Sequence, residues 1–361
     1  MNLAMTFNLK RSAREAEAEF DTQETIDALA ATLRALGHRV VPVDVSCSVV
    51  EMVHRLRRAA PDVVFNLAEG RRGAFREAFF PALFDELGLS HTGSSASVLA
   101  LCLDKALANR VVAAAGVRVP HGRFVGTHAV LPELDALTLP VIVKPNFEGS
   151  SKGITQASVV EDRRDLHAVV VDLLARYPDG VLVEELASGM DVAVAWVEGL
   201  GVLAPIGYAY EPSGRHRILD RELKEGPSDR LRLEIPPSLG PPAQAAVVDA
   251  AARTFAALGV TGYGRADFRV TDHGEVCFLE MNPLPSLAPG DDELYAAAAF
   301  MGRTREDLLA AIVSAVSRPR ARPSRTPSAP PGARAPHARS TRGGPDRPRA
   351  SGARPRPGAG W

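Results

Sequence analysis

Cysteine is scarce in this chain, with three in 361 residues, at Cys47, Cys102 and Cys277. They lie far apart, which excludes a disulfide framework and a cysteine-type metal cage. Each reads as a small core residue of a protein kept in a reducing compartment. Long apolar runs are missing too; none approaches the roughly 20 residues needed to cross a bilayer. The N-terminus, MNLAMTFNLKR, places its charges after its apolar residues, the reverse of a signal peptide. These gaps predict a cytoplasmic protein without a membrane partner. Net charge is nearly lacking, at a formal −1, but the sum hides an asymmetry. The stretch from Ser317 to Trp361 holds eleven arginines and one acid, Asp346, so the rest of the chain carries about −11. An acidic body is poorly suited to nucleic acid.

What is present is ordinary globular composition, 46% hydrophobic and 24% charged, over a length sufficient for two or three cores. The first 90 residues alternate strand and helix. MNLAMTFNL, RVVPVDV (39–45) and DVVFNL (62–67) read as strands. DTQETIDALAATLRALG sets Ile26, Leu29, Leu33 and Leu36 on one helical face, with Asp21 and Glu24 as a capping box and Gly37 as a stop. This pattern predicts a parallel α/β domain over 1–90, with NLAEG (66–70) at the rim where ligands bind. Residues 91–116 read as one Ser-capped helix carrying Lys105. From about 123 onward the chain turns strand-rich, an α+β pattern interrupted by helices at DRRDLHAVVVDLLARY and at 243–259, with two short helices near 291–301 and 304–316. The remainder divides into 91–180, 181–316 and an Arg/Pro-rich tail, 317–361. The tail has no apolar periodicity to offset its ordering entropy and is expected to be disordered. An arginine-rich arm holding an acidic partner is the other reading of it.

Two stretches carry chemistry. VIVKPNFEGSSKGI (141–154) runs an apolar strand into Lys144 and then into a loop of two glycines, two serines and Lys152. Such a loop is either a flexible hairpin or a lid over polyphosphate. GRADFRVTDHGEVCFLEMNP (264–283) is a hairpin turning at Asp272-His273-Gly274. Alternation puts Arg265 and Asp267 on one face of its first strand and Glu280 and Asn282 on one face of its second. Pairing the strands gathers Asp267, Glu280 and Asn282, three oxygen side chains suited to a hard cation such as Mg²⁺. An exposed polar face would not explain carboxylates set between Phe268, Phe278 and Leu279.

The ordered motifs DK (104–105), VKPNFEGSSKG (143–153), VEELASGMD (183–191), LK (223–224), GRADF (264–268) and LEMN (279–282), with TGSS (92–95) before LDK, resemble the ATP-grasp superfamily and within it the D-alanine–D-alanine ligases. The likeness spans about residues 60 to 290. It implies a parallel α/β domain followed by a two-lobe ATP-grasp fold with ATP between the lobes. It implies that Lys105, Lys144 and Lys224 meet the phosphates and that Glu148, Gly149, Ser150 and Ser151 belong to a lid closing over them. Glu184, Glu185 and Ala187 belong to a hinge reading adenine, and Asp191 takes the ribose hydroxyls, where the family usually has Glu. Asp267, Glu280 and Asn282 hold two Mg²⁺, with Mn²⁺ as an alternative ion. Arg265 stabilises a tetrahedral oxyanion, with Ser150 as a retained lid serine. The implied reaction is ATP-dependent carboxylate–amine ligation through an acyl phosphate, with amino-acid or other small carboxylate and amine substrates. A homodimer is the candidate assembly. A ligase for another carboxylate and a non-catalytic nucleotide-binding protein are the competing readings.

The chain departs from that family where substrates bind. The family's first loop, rich in glycine and serine and carrying a glutamate for ammonium, is replaced by FNLKRSAREAEAEF, in which no residue matches cleanly. The tyrosine after Lys224 is Glu225, and PLPSLAP follows LEMN where the family has small and hydroxyl residues. Glu69 is therefore the candidate ammonium ligand, with Glu15, Glu17, Glu19 and Glu225 behind it, and Arg76 and His91 are candidate carboxylate contacts.

Overall fold

The computed structural model describes residues 1–126, 131–225, 230–290 and 293–317. The tail expected to be disordered, from 318 on, lies outside them. The N-terminal domain is built from β1 (Asn2–Phe7), α1 (Gln23–Ala35), β2 (Arg39–Asp44), α2 (Val49–Ala59), β3 (Val63–Leu67) and α3 (Phe79–Glu86). Its sheet has the order β2-β1-β3, all parallel, as the strand–helix alternation predicts. β3 is buried at every position, as a parallel strand covered on both faces must be. Helix α1 does bury Ile26, Leu29 and Leu33, but its cap differs from expectation. Thr22, not Asp21, caps the helix, accepting from the Thr25 N–H at 3.2 Å. Asp21 instead sits in a backbone bridge to Leu9, which draws the 8–22 loop back along the rim of the sheet.

The expected single helix over 91–116 is two, α4 (Ala96–Leu103) and α5 (Lys105–Ala114). Asp104 breaks it with extended dihedrals (φ −80°, ψ 91°) and caps the second helix through Leu107 N–H at 3.0 Å. Its same oxygen accepts from Asn146 Nδ2 at 2.8 Å, so a tertiary hydrogen bond stabilises the break. Lys105 thereby becomes the first residue of α5, beside the end of the lysine strand.

β4 (Gly122–Val125), β5 (Val141–Pro145), β6 (Val159–Val160), α6 (Arg163–Arg176) and β7 (Val181–Glu185) form a four-stranded antiparallel sheet ordered β4-β7-β5-β6. Leu166, Val170 and Leu173 of α6 cover one face of it. The division expected at 180/181 is corrected here, since β7 is an inner strand of this sheet and does not open the last lobe. Helices α4 and α5 depart from the expected grouping as well. Cys102, Ala108 and Val112 share a core with the final sheet.

That final sheet contains β8 (Met190–Val197), β9 (Gly201–Val202), β10 (Ile206–Tyr210), β11 (Leu231–Glu234), β12 (Tyr263–Val270) and β13 (Val276–Asn282), in the order β11-β10-β8-β12-β13 with β9 on β8. Between its strands come α7 (Arg221–Glu225) and α8 (Pro241–Leu258). α8 lays Val247, Ala251 and Phe255 against Val192, Val194, Phe268 and Phe278. α9 (Glu293–Phe300) and α10 (Arg305–Ser317) return to the first domain, where Leu294, Leu308 and Ile312 join the core of Leu3, Ile26 and Phe65. Among the described residues no helix is long and apolar enough to cross a membrane.

Replacing Asp104 with Ala should cost about 1–2 kcal/mol of unfolding free energy, the usual loss for an N-cap. Urea denaturation measures it, and an unchanged midpoint would mean that the α4–α5 break is held by something other than this side chain.

Candidate active site

Two cavities meet in the cleft between the three sheets. One is a narrow slot of about 130 Å³, walled by Ile142 and Leu186 on one side and Val192, Phe268 and Leu279 on the other. The second is a chamber of about 490 Å³ between the N-terminal rim loops, the lid at Glu148–Ser150 and the end of β13. Lys224, Arg265, Glu280, Tyr208 and Leu219 line both. A flat apolar slot thus opens into a charged chamber at a cluster of two cations and a carboxylate.

The hairpin builds that junction. Asp267 lies directly opposite Glu280, and Arg265 opposite Asn282, with a β-bulge between Asp267 and Phe268. Arg265 grips Asp267 in a bidentate pair, both contacts at 2.8 Å, and lies 3.6 Å from Glu293. Glu293 in turn accepts from Tyr208 Oη at 2.8 Å. Burial raises the Asp267 carboxyl, with Glu280 opposing its charge and Arg265 partly offsetting both. Burial would raise Glu280 also, but Lys105, Lys144, Lys224 and Arg265 outweigh it and pull the carboxyl down to about 2. Asn282 Oδ1 accepts from the Leu284 N–H at 2.9 Å. No group of three or more His, Cys, Asp and Glu residues forms a metal cage among the described residues. The candidate set is two carboxylates and an amide.

The buried lysines of the cleft are paired. Lys105 Nζ lies 3.2 Å from Glu280 and donates to the Glu148 carbonyl at 2.5 Å. Lys144 lies 2.6 Å from Glu184, which also accepts from Asn109 Nδ2 at 2.7 Å. Lys105, Lys144 and Glu184 are all buried, and Lys224 is exposed at the cavity junction.

The first loop, in which sequence matching found no ligand, reaches the lid. Glu19 accepts from Arg76 at 3.1 Å through both oxygens, from the Gly149 N–H at 2.9 Å and from Lys152 Nζ at 2.5 Å. Arg76 also donates to the Phe147 carbonyl at 2.5 Å, and Lys152 to Glu148 at 2.8 Å. Glu15 accepts from the Gly153 N–H at 3.0 Å and pairs with Arg221. Ser150 and Ser151 hold φ of 50° and 54°, the left-handed region that non-glycine residues seldom adopt. A Cβ on Gly149 would collide with the Glu19 carboxylate, which would have to shift to admit it. The signal that could have found Glu19 is the acid-rich AREAEAEF stretch, but three glutamates at alternating positions are indistinguishable until the loop folds.

Other expected residues divide. Glu69 lines the chamber beside Glu77, and its carboxyl is pushed well up by burial and by the charges of Glu77 and Glu19. Glu77 is held up at about 7, again by burial first. Arg76 serves the lid. His91 packs on Phe84 and lines neither cavity, so the structure does not bring it to the site. Glu17 is turned to the Arg11 and Ser12 N–H groups. The Glu225 side chain lies outside the described residues. Glu184, Glu185, Ala187 and Asp191 all line the slot. The Glu185 side chain caps Thr138 N–H at 2.8 Å, and the Ala187 carbonyl accepts from Arg269 at 2.8 Å. Asp191, expected at the ribose, is bound by Arg269 at 2.8 and 3.1 Å and by Tyr210 Oη at 2.5 Å.

The family profile described as the D-ala D-ala ligase C-terminus matches residues 122–314. The chain is 35% identical to a D-alanine–D-alanine ligase of Gloeobacter violaceus over 271 residues, 73% of this chain and 85% of that protein. It is 31% identical to one of Gluconobacter oxydans, over 73% of this chain and 84% of that protein. Among solved structures, a D-alanine–D-alanine ligase from Bacillus anthracis complexed with ATP superposes with a TM-score of 0.70 at 19% identity, covering 88% of this chain and 98% of that one. At that identity the likeness speaks for the fold.

Arg76→Met should remove the guanidinium from a buried pair and lower the unfolding free energy by about 3–5 kcal/mol. Chemical denaturation measures the loss. A variant as stable as the parent would show that Lys152 alone satisfies Glu19.

Proposed function

The chain belongs to the D-alanine–D-alanine ligase family and is an ATP-dependent ligase, and we propose that it joins two amino acids through the cleft described above. The observation that carries this reading is the meeting of an apolar slot with a charged chamber at Glu280, Arg265 and Lys224. The slot suits a purine, the junction a polyphosphate and the chamber two small zwitterions. In the proposed arrangement adenine lies against the main chain of the 184–187 segment. Lys105, Lys144 and Lys224 neutralise phosphate oxygens, and the backbone N–H groups of Glu148–Ser151 cover them.

The hairpin suits Mg²⁺. Asp267 and Glu280 stand opposite one another, and the lysines keep Glu280 ionised, as a carboxylate ligand must be. Asp267, Glu280 and Asn282 would hold the ions, which when bound neutralise the phosphate oxygens of the transferring group. The protein's own work is positioning and charge stabilisation. A substrate carboxylate oxygen, directed by the chamber walls, attacks the terminal phosphorus, and ADP leaves. The amine of the second amino acid then attacks the acyl carbon, loses its proton and expels phosphate. Arg265, partly buried and oriented by its two-point pair with Asp267, stabilises the oxyanion of that step, and Ser150 borders it from the lid. Glu69 is the proposed partner of the first ammonium: it lines the chamber, where an incoming ammonium would favour the ionised form of its raised carboxyl, whereas Glu19 is occupied by the lid.

Glu280→Gln should abolish turnover while leaving the fold intact, because loss of one carboxylate removes several kcal/mol of transition-state stabilisation. Amino-acid-dependent ADP release in Mg²⁺ measures it, and activity within a few-fold of the parent rules out the metal assignment. Glu69→Ala should raise KM for the first amino acid roughly 10- to 100-fold and leave KM for ATP unchanged, as expected for one charge-assisted hydrogen bond. A rise in the ATP KM alone would instead assign Glu69 to the nucleotide.

A further inference from the structure

The outer end of the slot is closed by a polar knot that the reaction does not use. Arg269, on β12, donates Nε to Asp191 Oδ1 at 2.8 Å and Nη2 to Asp191 Oδ2 at 3.1 Å. Tyr210 Oη donates to the same Oδ2 at 2.5 Å. Nη1 donates to the Ala187 carbonyl at 2.8 Å and Nη2 also to the Arg217 carbonyl at 2.7 Å. Arg269 and Asp191 are both buried, at 5% and 7% exposure. One arginine therefore ties β12 to β8, to the 186–189 segment and to the loop before α7.

This knot removes the slot's sugar reader. A carboxylate has about four acceptor positions, and gripping the two adjacent hydroxyls of a ribose calls for one free position on each oxygen. Here Oδ2 already accepts twice and Oδ1 once, and the charge is neutralised by a parallel, two-point guanidinium. Turning Asp191 toward a sugar would leave Arg269 charged and unpaired in a buried place, which a neutral hydroxyl cannot offset. We propose that Arg269 is a specificity-determining residue of the nucleotide slot, holding Asp191 away from the sugar, so that the enzyme binds 2′-deoxy-ATP as well as ATP. The inference rests on the reading of the slot as the nucleotide site.

The test is equilibrium binding of ATP and 2′-deoxy-ATP to the full chain by calorimetry in Mg²⁺, with ADP release measured in parallel. The expected Kd values agree within about threefold, below the tenfold or more that a lost charge-assisted hydrogen bond produces. A larger preference for ATP in the unaltered protein overturns the proposal. Arg269→Met releases Asp191 and should create a preference of about tenfold or more for ATP. A folded variant whose Kd ratio is unchanged overturns the assignment to Arg269; should the variant fail to fold, the comparison on the unaltered protein still decides. Failure to bind either nucleotide contradicts the slot assignment itself. Equal binding without amino-acid-dependent ADP release contradicts the ligase reading and leaves this proposal standing.

Discussion

One carboxylate, that of Glu19, gathers most of the polar contacts between the first domain and the lid. It meets a guanidinium, an ammonium and a backbone N–H at once, so its charge is compensated by the protein. In a low-dielectric setting such contacts are strong, and loss of any one leaves a costly unpaired group. The cost sets the geometry of much else. The carboxylate sits where a Cβ on Gly149 would go, and Ser150 and Ser151 beside it hold left-handed dihedrals. Arg76 holds both Glu19 and the Phe147 carbonyl, and so sets the height of the lid above the chamber.

The same constraint governs the cations of the cleft. Lys105 faces Glu280, Lys144 faces Glu184, Arg265 faces Asp267 and Arg269 faces Asp191. A cleft prepared for polyphosphate must keep several positive charges close together, and matching carboxylates prevent their mutual repulsion. The pairs are not equivalent. Glu280 and Asp267 belong to the hairpin proposed to hold metal, so their lysine and arginine partners are cations that phosphate can share. Glu184 and Asp191 are tied down by further hydrogen bonds, from Asn109 and Tyr210, and act as fixed props. The acids on the chamber floor differ again. Burial raises the carboxyls of both Glu69 and Glu77, and the charge of Glu77 adds to the shift of Glu69.

The sequence by itself determined the elements that rest on local periodicity. The parallel first domain, the Asp272–Gly274 hairpin and the opposition of Asp267 to Glu280 follow from alternation, which survives any tertiary setting. So does the family, since its motifs are contiguous stretches. Tertiary structure decided the rest. Asp104 breaks an unbroken helical pattern because Asn146, 42 residues away, offers its side chain a partner. Val181–Glu185 joins the middle sheet because β4 and β5 flank it, which no local pattern expresses. Glu19 could not be told from Glu15 or Glu17 until the loop folded, and nothing local to Asp191 marks its pairing with Arg269, 78 residues away. Pairing of buried charges is a long-range condition. It is satisfied by whichever side chains the fold brings within about 3 Å, the hydrogen-bond distance, and not by any spacing along the chain.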